Sequence, residues 1–309
     1  VQDKARRDKD RLPNTIAATA YETIPMNRRD FLAATTATMA ASTMAVARPV
    51  KPKLRKAVKF SMINIKGTTL EKFELVKKIG FEGVEVDSPS GINKVAAKRA
   101  AEQTGVVIHG VIDNIHWAYP LSSPDARVRA EGLAGLEGAI EDAHFYGCET
   151  CLLVPGVARG GVTYDECFER SAIEVRKALP LAEKLKVKIC IETVWNDFIT
   201  KPEQMIAYVD QFKSPFVGAY FDTSNMIKYG VSSGDWIRAL GKRLFKFDFK
   251  GYSKTKSWCP IGEGDENWPD VLKALDEVGY SGWATSEVAG GGEKELTDVF
   301  QRMTKVLEQ

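Results

Sequence analysis

From Val58 to the C-terminus, short runs rich in β-branched residues alternate with amphipathic helical runs. The strand-like runs fall at 58–65, 81–87, 106–112, 149–154, 187–194, 216–222, 244–250 and 282–288. Helical runs lie between them at 69–79, 92–104, 124–147, 163–185, 201–213, 233–241 and 268–278, and 294–308 closes the chain. Capping chemistry supports the boundaries. Thr200-Lys-Pro-Glu203 forms a capping box with proline near the helix start, and Ser123-Pro124 opens the helix that Gly147 ends. Gly80, Gly105 and Gly279 each stop a helix just before the next strand. Eight such units in about 250 residues match the usual size of the (β/α)8 barrel. A doubly wound sheet would want a glycine-rich phosphate turn after its first strand, and Ile65-Lys-Gly-Thr-Thr is not one. The expected fold is α/β, a single (β/α)8 TIM barrel with eight parallel strands over 58–309.

Residues 48–57 (RPVKPKLRKA) read as a basic, proline-containing linker. Ahead of it, Met26-Asn-Arg-Arg-Asp-Phe-Leu precedes a weakly apolar Ala/Thr run and the small-x-small end Ala45-Val46-Ala47. That order resembles a twin-arginine export signal, so residues 1–47 are expected to be a leader and the location periplasmic or exported. The run is too short and too polar for a spanning helix, so no stable membrane association is expected after processing. The first 47 residues carry 7 basic and 5 acidic side chains of the 43 and 41 in the chain, which leaves 36 of each behind.

A formal charge of +2 argues against a nucleic-acid partner that relies on a basic surface. Five scattered cysteines do not make a disulfide framework, and three histidines exclude a histidine-rich zinc cluster. Cys148 and Cys151, at the start of a strand, read as small buried residues.

The chemistry lies at the strand ends. KICIETVWN delivers Glu192, AYFDTSN Asp222, KFDFKGY Asp248 and ATSEVAG Glu287. Side chains alternate along a strand, so parity tests each acid. In 244–250, phenylalanines 245, 247 and 249 share one face and suit the helices, which turns Lys246, Asp248 and Lys250 inward. Glu192 shares a face with Cys190 and Val194, Asp222 with Tyr220 and Gly218, and Glu287 with Thr285. Any one of these acids can equally cap a loop or pair with Lys246 or Lys250. Four at matched depth repel strongly, and a divalent cation removes the repulsion. All-oxygen ligation favours one Mn²⁺ or Mg²⁺ at the barrel mouth, with Zn²⁺ or Co²⁺ possible.

Loop residues add substrate contacts. His116 and Trp117 follow the third strand and Trp195 the fifth, where tryptophans suit the apolar faces of a sugar ring and equally suit loop packing. Glu85 and Asp87 share a face of the second strand, able to reach hydroxyls or to pair within the barrel. His109 reads as a core histidine.

The order of IETVWN, FDTSN, FKGY, Ile261-Gly-Glu-Gly-Asp and GYSGWATSE resembles the xylose isomerase-like barrel superfamily, in its sugar-phosphate isomerase/epimerase and hydroxypyruvate isomerase branch. In that family a Glu, Asp, His, Glu set binds one divalent metal and the two glutamates are acid/base groups. The resemblance thus implies metal roles for Glu192, Asp222 and Glu287, and catalytic roles for Glu192 and Glu287. This chain departs from the pattern at Asp248, in the place of the usual histidine, and at Asn225, where a further histidine is common. Lys250 or Lys246 would offset the added negative charge. The implied function is a metal-dependent isomerase or epimerase of a small sugar acting through an enediolate. The alternatives are a non-catalytic carbohydrate-binding barrel and a lyase or dehydratase using the same site. A homo-oligomer is compatible with the sequence.

Overall fold

The computed structural model describes residues 53–309. The leader expected at 1–47, with Arg28, Arg29 and Ala45–Ala47, lies outside the described residues. Eight parallel strands close into a barrel: β1 Leu54–Lys59, β2 Gly83–Ser88, β3 Val107–Asp113, β4 Thr150–Leu153, β5 Lys188–Glu192, β6 Val217–Asp222, β7 Leu244–Phe249 and β8 Gly282–Ser286. They neighbour one another in sequence order, and β1 pairs β8 to complete the ring. The helices are α1 Thr69–Ile79, α2 Lys94–Thr104, α3 Ala126–Tyr146, α4 Tyr164–Leu185, α5 Pro202–Asp210, α6 Ser233–Leu240, α7 Trp268–Glu277 and α8 Glu293–Leu307. Among the described residues no helix is long and apolar enough to cross a membrane.

The first strand differs most from its expected span. It starts at Leu54, inside the stretch read as linker, and ends at Lys59. The apolar residues that suggested a strand to 65 instead fill a turn: Phe60, Met62 and Ile63 are buried against the outer core. Charge at Arg55 and Lys56 disguised the strand. Arg55 lies over the Trp283 ring, and Lys56 donates to Thr304 on α8.

Two caps also moved. Gln204, one residue past Glu203, accepts the Thr200 and Lys201 N–H groups ahead of α5. Asp125 caps α3 by accepting the Arg127 N–H, two residues beyond Ser123.

Apolar side chains between strands and helices form the main core, including Phe73, Leu136, Trp236, Phe247 and Phe249. Burying a side chain of that size contributes roughly 1.5–3 kcal/mol, which fixes the inside-outside parity of β7. Phe245 breaks the expected parity. The β6–β7 register slips between Ala219 and Tyr220, so Phe245 is an extra residue in a bulge. It packs with Ile112, Leu152, Cys190 and Tyr220 at the base of the interior rather than against the helices. Gly218 allows this, because a Cβ there would stand 2.3 Å from the Phe245 ring. A second bulge, opposite Val84 and Glu85, makes His109 the extra residue of β3. Cys148 and Cys151 are buried free thiols, as expected.

Candidate active site

The bulge in β7 resets the alternation above it, so that Lys246 and Asp248 both point into the barrel. Asp222 and Asp248 are register partners on β6 and β7, and Tyr220 and Lys246 are partners two residues lower. Glu192 ends β5 and Glu287 follows β8 directly. Carboxylate oxygens of Glu192, Asp222, Asp248 and Glu287 all lie within 4.8 Å of one another. The four strand-end acids therefore converge as parity required, and Asp248 stands with them.

Hydrogen bonds orient Asp222 and Asp248. Asp222 Oδ1 accepts the N–H groups of Ser224 and Asn225, both at 2.8 Å, and Thr193 Oγ1 accepts the Asp222 N–H at 2.9 Å. Asp248 Oδ1 accepts the Tyr220 hydroxyl at 2.7 Å. The second oxygens, Asp222 Oδ2 and Asp248 Oδ2, are buried without a hydrogen-bond partner and face ammonium groups instead. Lys250 Nζ stands 3.3 Å from Asp222 Oδ2 and 2.8 Å from Glu287 Oε2. Lys59 Nζ stands 3.1 Å from Asp248 Oδ2 and 3.3 Å from Glu287 Oε1.

Four carboxylates against two ammonium groups leave two negative charges in a buried space. Burial raises the proton affinity of Glu192 well above the usual carboxylate range, with Glu287 and Asp248 adding to it. Burial likewise pushes Asp248 up to about 8, against the pull of Lys59. Asp222 shifts upward for the same reason, against Lys250. Glu287 goes the other way: burial opposes its charge, but Lys59 and Lys250 outweigh burial and hold it at about 2. Carboxylates crowded enough to take up protons also favour a divalent cation. The hard oxygen donors, the two orphaned oxygens and the residual double charge fit one such ion, held by Glu192, Asp222, Asp248 and Glu287.

Among the other expected site residues, Lys250 is in place. It also lies over the Trp258 ring at 4.8 Å. Lys246 does not neutralise the acids as proposed; it donates to His109 Nδ1 at 2.6 Å and to the His109 carbonyl at 3.0 Å. Glu85 lies in that lower tier, its Oε2 3.0 Å from the Tyr220 hydroxyl, whose single proton it shares with Asp248 Oδ1. Asn225 holds the loop: its side-chain amide donates to the Thr193 carbonyl at 2.9 Å. His116 is buried and its Nδ1 accepts the Val154 N–H at 3.3 Å. Burial, then Lys59, lowers its pKa to about 3, so the ring is neutral and its proton sits on Nε2. Trp117 is half exposed beside it, in edge contact. Trp195 donates its indole N–H to the Asn225 carbonyl at 2.6 Å and stacks on Trp258, 4.8 Å between ring centres. Its indole edge is thus spent on the loop.

Sequence reasoning missed three residues. Lys59 was lost with the misplaced first strand, since a strand ending at 59 puts it inward with Ala57. Tyr220 was on the inward face but drew no attention as an uncharged residue. Trp258 lies on a two-residue antiparallel hairpin, Tyr252–Ser253 with Ser257–Trp258, that has no periodic signal.

A family model described as "Xylose isomerase-like TIM barrel" matches residues 73–306. The chain belongs to the xylose isomerase-like TIM barrel family. Among curated proteins it is 23% identical over 228 residues to the L-ribulose-5-phosphate 3-epimerase UlaE of Escherichia coli O1:K1, covering 69% of this chain and 79% of that one. A D-psicose 3-epimerase crystallised in the presence of D-fructose superposes with a TM-score of 0.68 at 20% identity, over 83% of this chain and 100% of the other. The IOLI protein, solved with a zinc atom bound, gives 0.71 at 16% identity, over 82% and 98%. At these identities the structural likeness establishes the fold.

Proposed function

We propose that the protein is a divalent-metal-dependent epimerase of a small ketose or keto-sugar. The observation that carries this reading is the convergence of Glu192, Asp222, Asp248 and Glu287, whose carboxylate oxygens lie within 4.8 Å of one another at the strand ends. Glu192 and Glu287 enter that cluster from different strand ends, so that one carboxylate can take a proton while the other delivers one. A cation held by the four carboxylates would supply Lewis acidity toward a carbonyl and the neighbouring hydroxyl. Glu192 ends β5 and Glu287 follows β8, three strands away around the barrel. One removes the proton at the carbon next to the carbonyl, and the other returns a proton to the opposite face, which inverts that carbon. Lys59 and Lys250 hold the negative charge of Glu287 in place, and the neutral His116 offers an Nε2–H to a substrate oxygen. The epimerase names of the relatives favour inversion over isomerisation, which needs one group shuttling between adjacent carbons.

The test is proton exchange. Mn²⁺-loaded protein incubated with ketopentoses and ketohexoses in D₂O should place deuterium next to the carbonyl, and chelation should stop it. Retention of all protons across the panel would refute the reading. We further propose export through the leader at 1–47. Changing Arg28 and Arg29 together to Lys should then leave unprocessed precursor inside the cell; unchanged processing would refute the export.

A further inference from the structure

A cavity of about 900 Å³ borders the acid cluster at Lys250 and Glu287. Its walls are the 251–262 loop on one side and α8 with the preceding 288–290 turn on the other. Trp258, Ile261, Val288, Ala289 and Val299 line it. Ile261 and Val299 are core residues, so that wall is firm, while Trp258 is half exposed and backed by the stacked Trp195 ring. A free five- or six-carbon sugar chelated at the acids leaves such a space mostly empty, and water next to these side chains is unfavourable.

Its charges are balanced. Three acids, Glu287, Glu295 and Asp298, line it with three bases, Lys250, Lys294 and Arg302. Arg302 is held by Glu263 and Asp298, at 2.6 Å each. Lys250 is held by Asp222 and Glu287. At the start of α8, Glu295 takes the Gly292 N–H that an anion would otherwise use. Of the lining cations Lys250 and Arg302 are already paired and Lys294 is exposed, and Glu293 and Glu295 place negative charge on the first turn of α8, which disfavours a phosphate there.

We infer that this cavity is a substrate subsite for an uncharged apolar substituent, so that the substrate class is a keto-sugar carrying an alkyl or aryl group, such as a glycoside, rather than a sugar phosphate. The inference rests on the epimerase reading above and adds the substituent to it. The substituent slides along Trp258 toward Val299 while the sugar stays at Glu192 and Glu287.

The experiment compares the methyl and phenyl glycosides of one keto-sugar with a ketopentose phosphate, on Mn²⁺-loaded full-length protein. Binding is read by calorimetry and proton exchange by deuterium incorporation. The phenyl glycoside should bind at least tenfold tighter than the methyl one, and the phosphate should bind no tighter than the methyl glycoside. Ala289→Trp, at an exposed position, should bring the phenyl-to-methyl ratio close to one. A ratio below two in the unaltered protein, or tightest binding by the phosphate, overturns the subsite, and exchange with the methyl glycoside would still support the epimerase. A phenyl preference that Ala289→Trp removes, with no exchange in any sugar, supports the subsite and overturns the epimerase. No binding by any of the three overturns both.

Discussion

Two tiers of polar side chains share the barrel interior, and they solve the problem of buried charge differently. In the lower tier Lys246 meets a neutral imidazole and a carbonyl from His109, and burial lowers its own pKa. His109 is further steadied by stacking on Trp283, 4.5 Å between ring centres, and burial lowers its pKa well below the usual range. Two residues higher, four acids face two lysines and charge is left over. Tyr220 joins the tiers, its hydroxyl within reach of Glu85, Asp248 and Thr285. The lower tier is packed on Phe245 and leaves one buried oxygen, Glu85 Oε1, without a partner, whereas the upper tier gathers Asp222 Oδ2, Asp248 Oδ2 and the two glutamates around one point. The upper tier lies at the C-terminal rim, where catalysis is expected in a barrel.

That contrast can be broken by substitution in each tier. Glu287→Gln should give the largest effect, a loss of about 10²–10⁴-fold in turnover, the range for removing a positioned acid or base. Its melting temperature should also fall, since Lys59 and Lys250 each lose a paired carboxylate; steady-state rates and thermal unfolding on one preparation check both. Asp248→Ala comes next, with metal affinity falling by at least about a hundredfold, more than the usual effect of disturbing an outer-shell partner. Asp248→His should retain an ion and shift preference toward Zn²⁺ or Co²⁺, which imidazole suits. Metal affinity unchanged in Asp248→Ala would reassign that carboxylate to Lys59 alone.

The lower tier should respond in stability. Tyr220→Phe removes the one hydroxyl proton that lies between Glu85 and Asp248, costing about 1–3 kcal/mol by the usual penalty for a buried unpaired acceptor. Chemical denaturation measures it, and metal stoichiometry should hold at the unaltered value. An intact stability would mean that the two tiers are not coupled through this hydroxyl.

The smallest effect is in pH. Asp248, Asp222 and Glu192 have raised pKa values when folded, so they bind more protons folded than unfolded. Their stabilising contribution is complete below the ordinary carboxylate range of about 4 and is lost as pH rises through about 8 for Asp248. Glu287, at about 2, contributes above the ordinary range and loses its contribution only as pH falls toward 2. Chelator-treated protein should therefore melt at lower temperature as pH goes from 5.5 to 8.5, and added Mn²⁺ should restore more at the higher pH. A melting temperature that rises over that range would contradict the crowding of the acids.

The upper tier was more legible in sequence than the lower one. Strand period and strand-end position were enough to bring Glu192, Asp222, Asp248 and Glu287 together, because a barrel aims all its strand ends at one mouth. The parity argument reached Asp248 despite an error at Phe245, since Phe247 and Phe249 fixed the alternation above the bulge. The bulge itself depends on a ring lying over Gly218, a contact across strands that no local pattern encodes. Lys59 was hidden for a different reason: a charged, short strand followed by an apolar turn reads as linker then strand. Trp258 and the cavity beside it belong to an irregular loop, where side-chain placement follows from tertiary packing alone.

The most direct test of the central claim is a calorimetric Mn²⁺ titration of chelator-treated protein alongside Asp222→Ala. The four-carboxylate site should take up one ion per chain with release of protons, and Asp222→Ala should abolish the saturable phase. No saturable uptake by the unaltered protein, or equal uptake by both, would contradict a metal centre at these four acids.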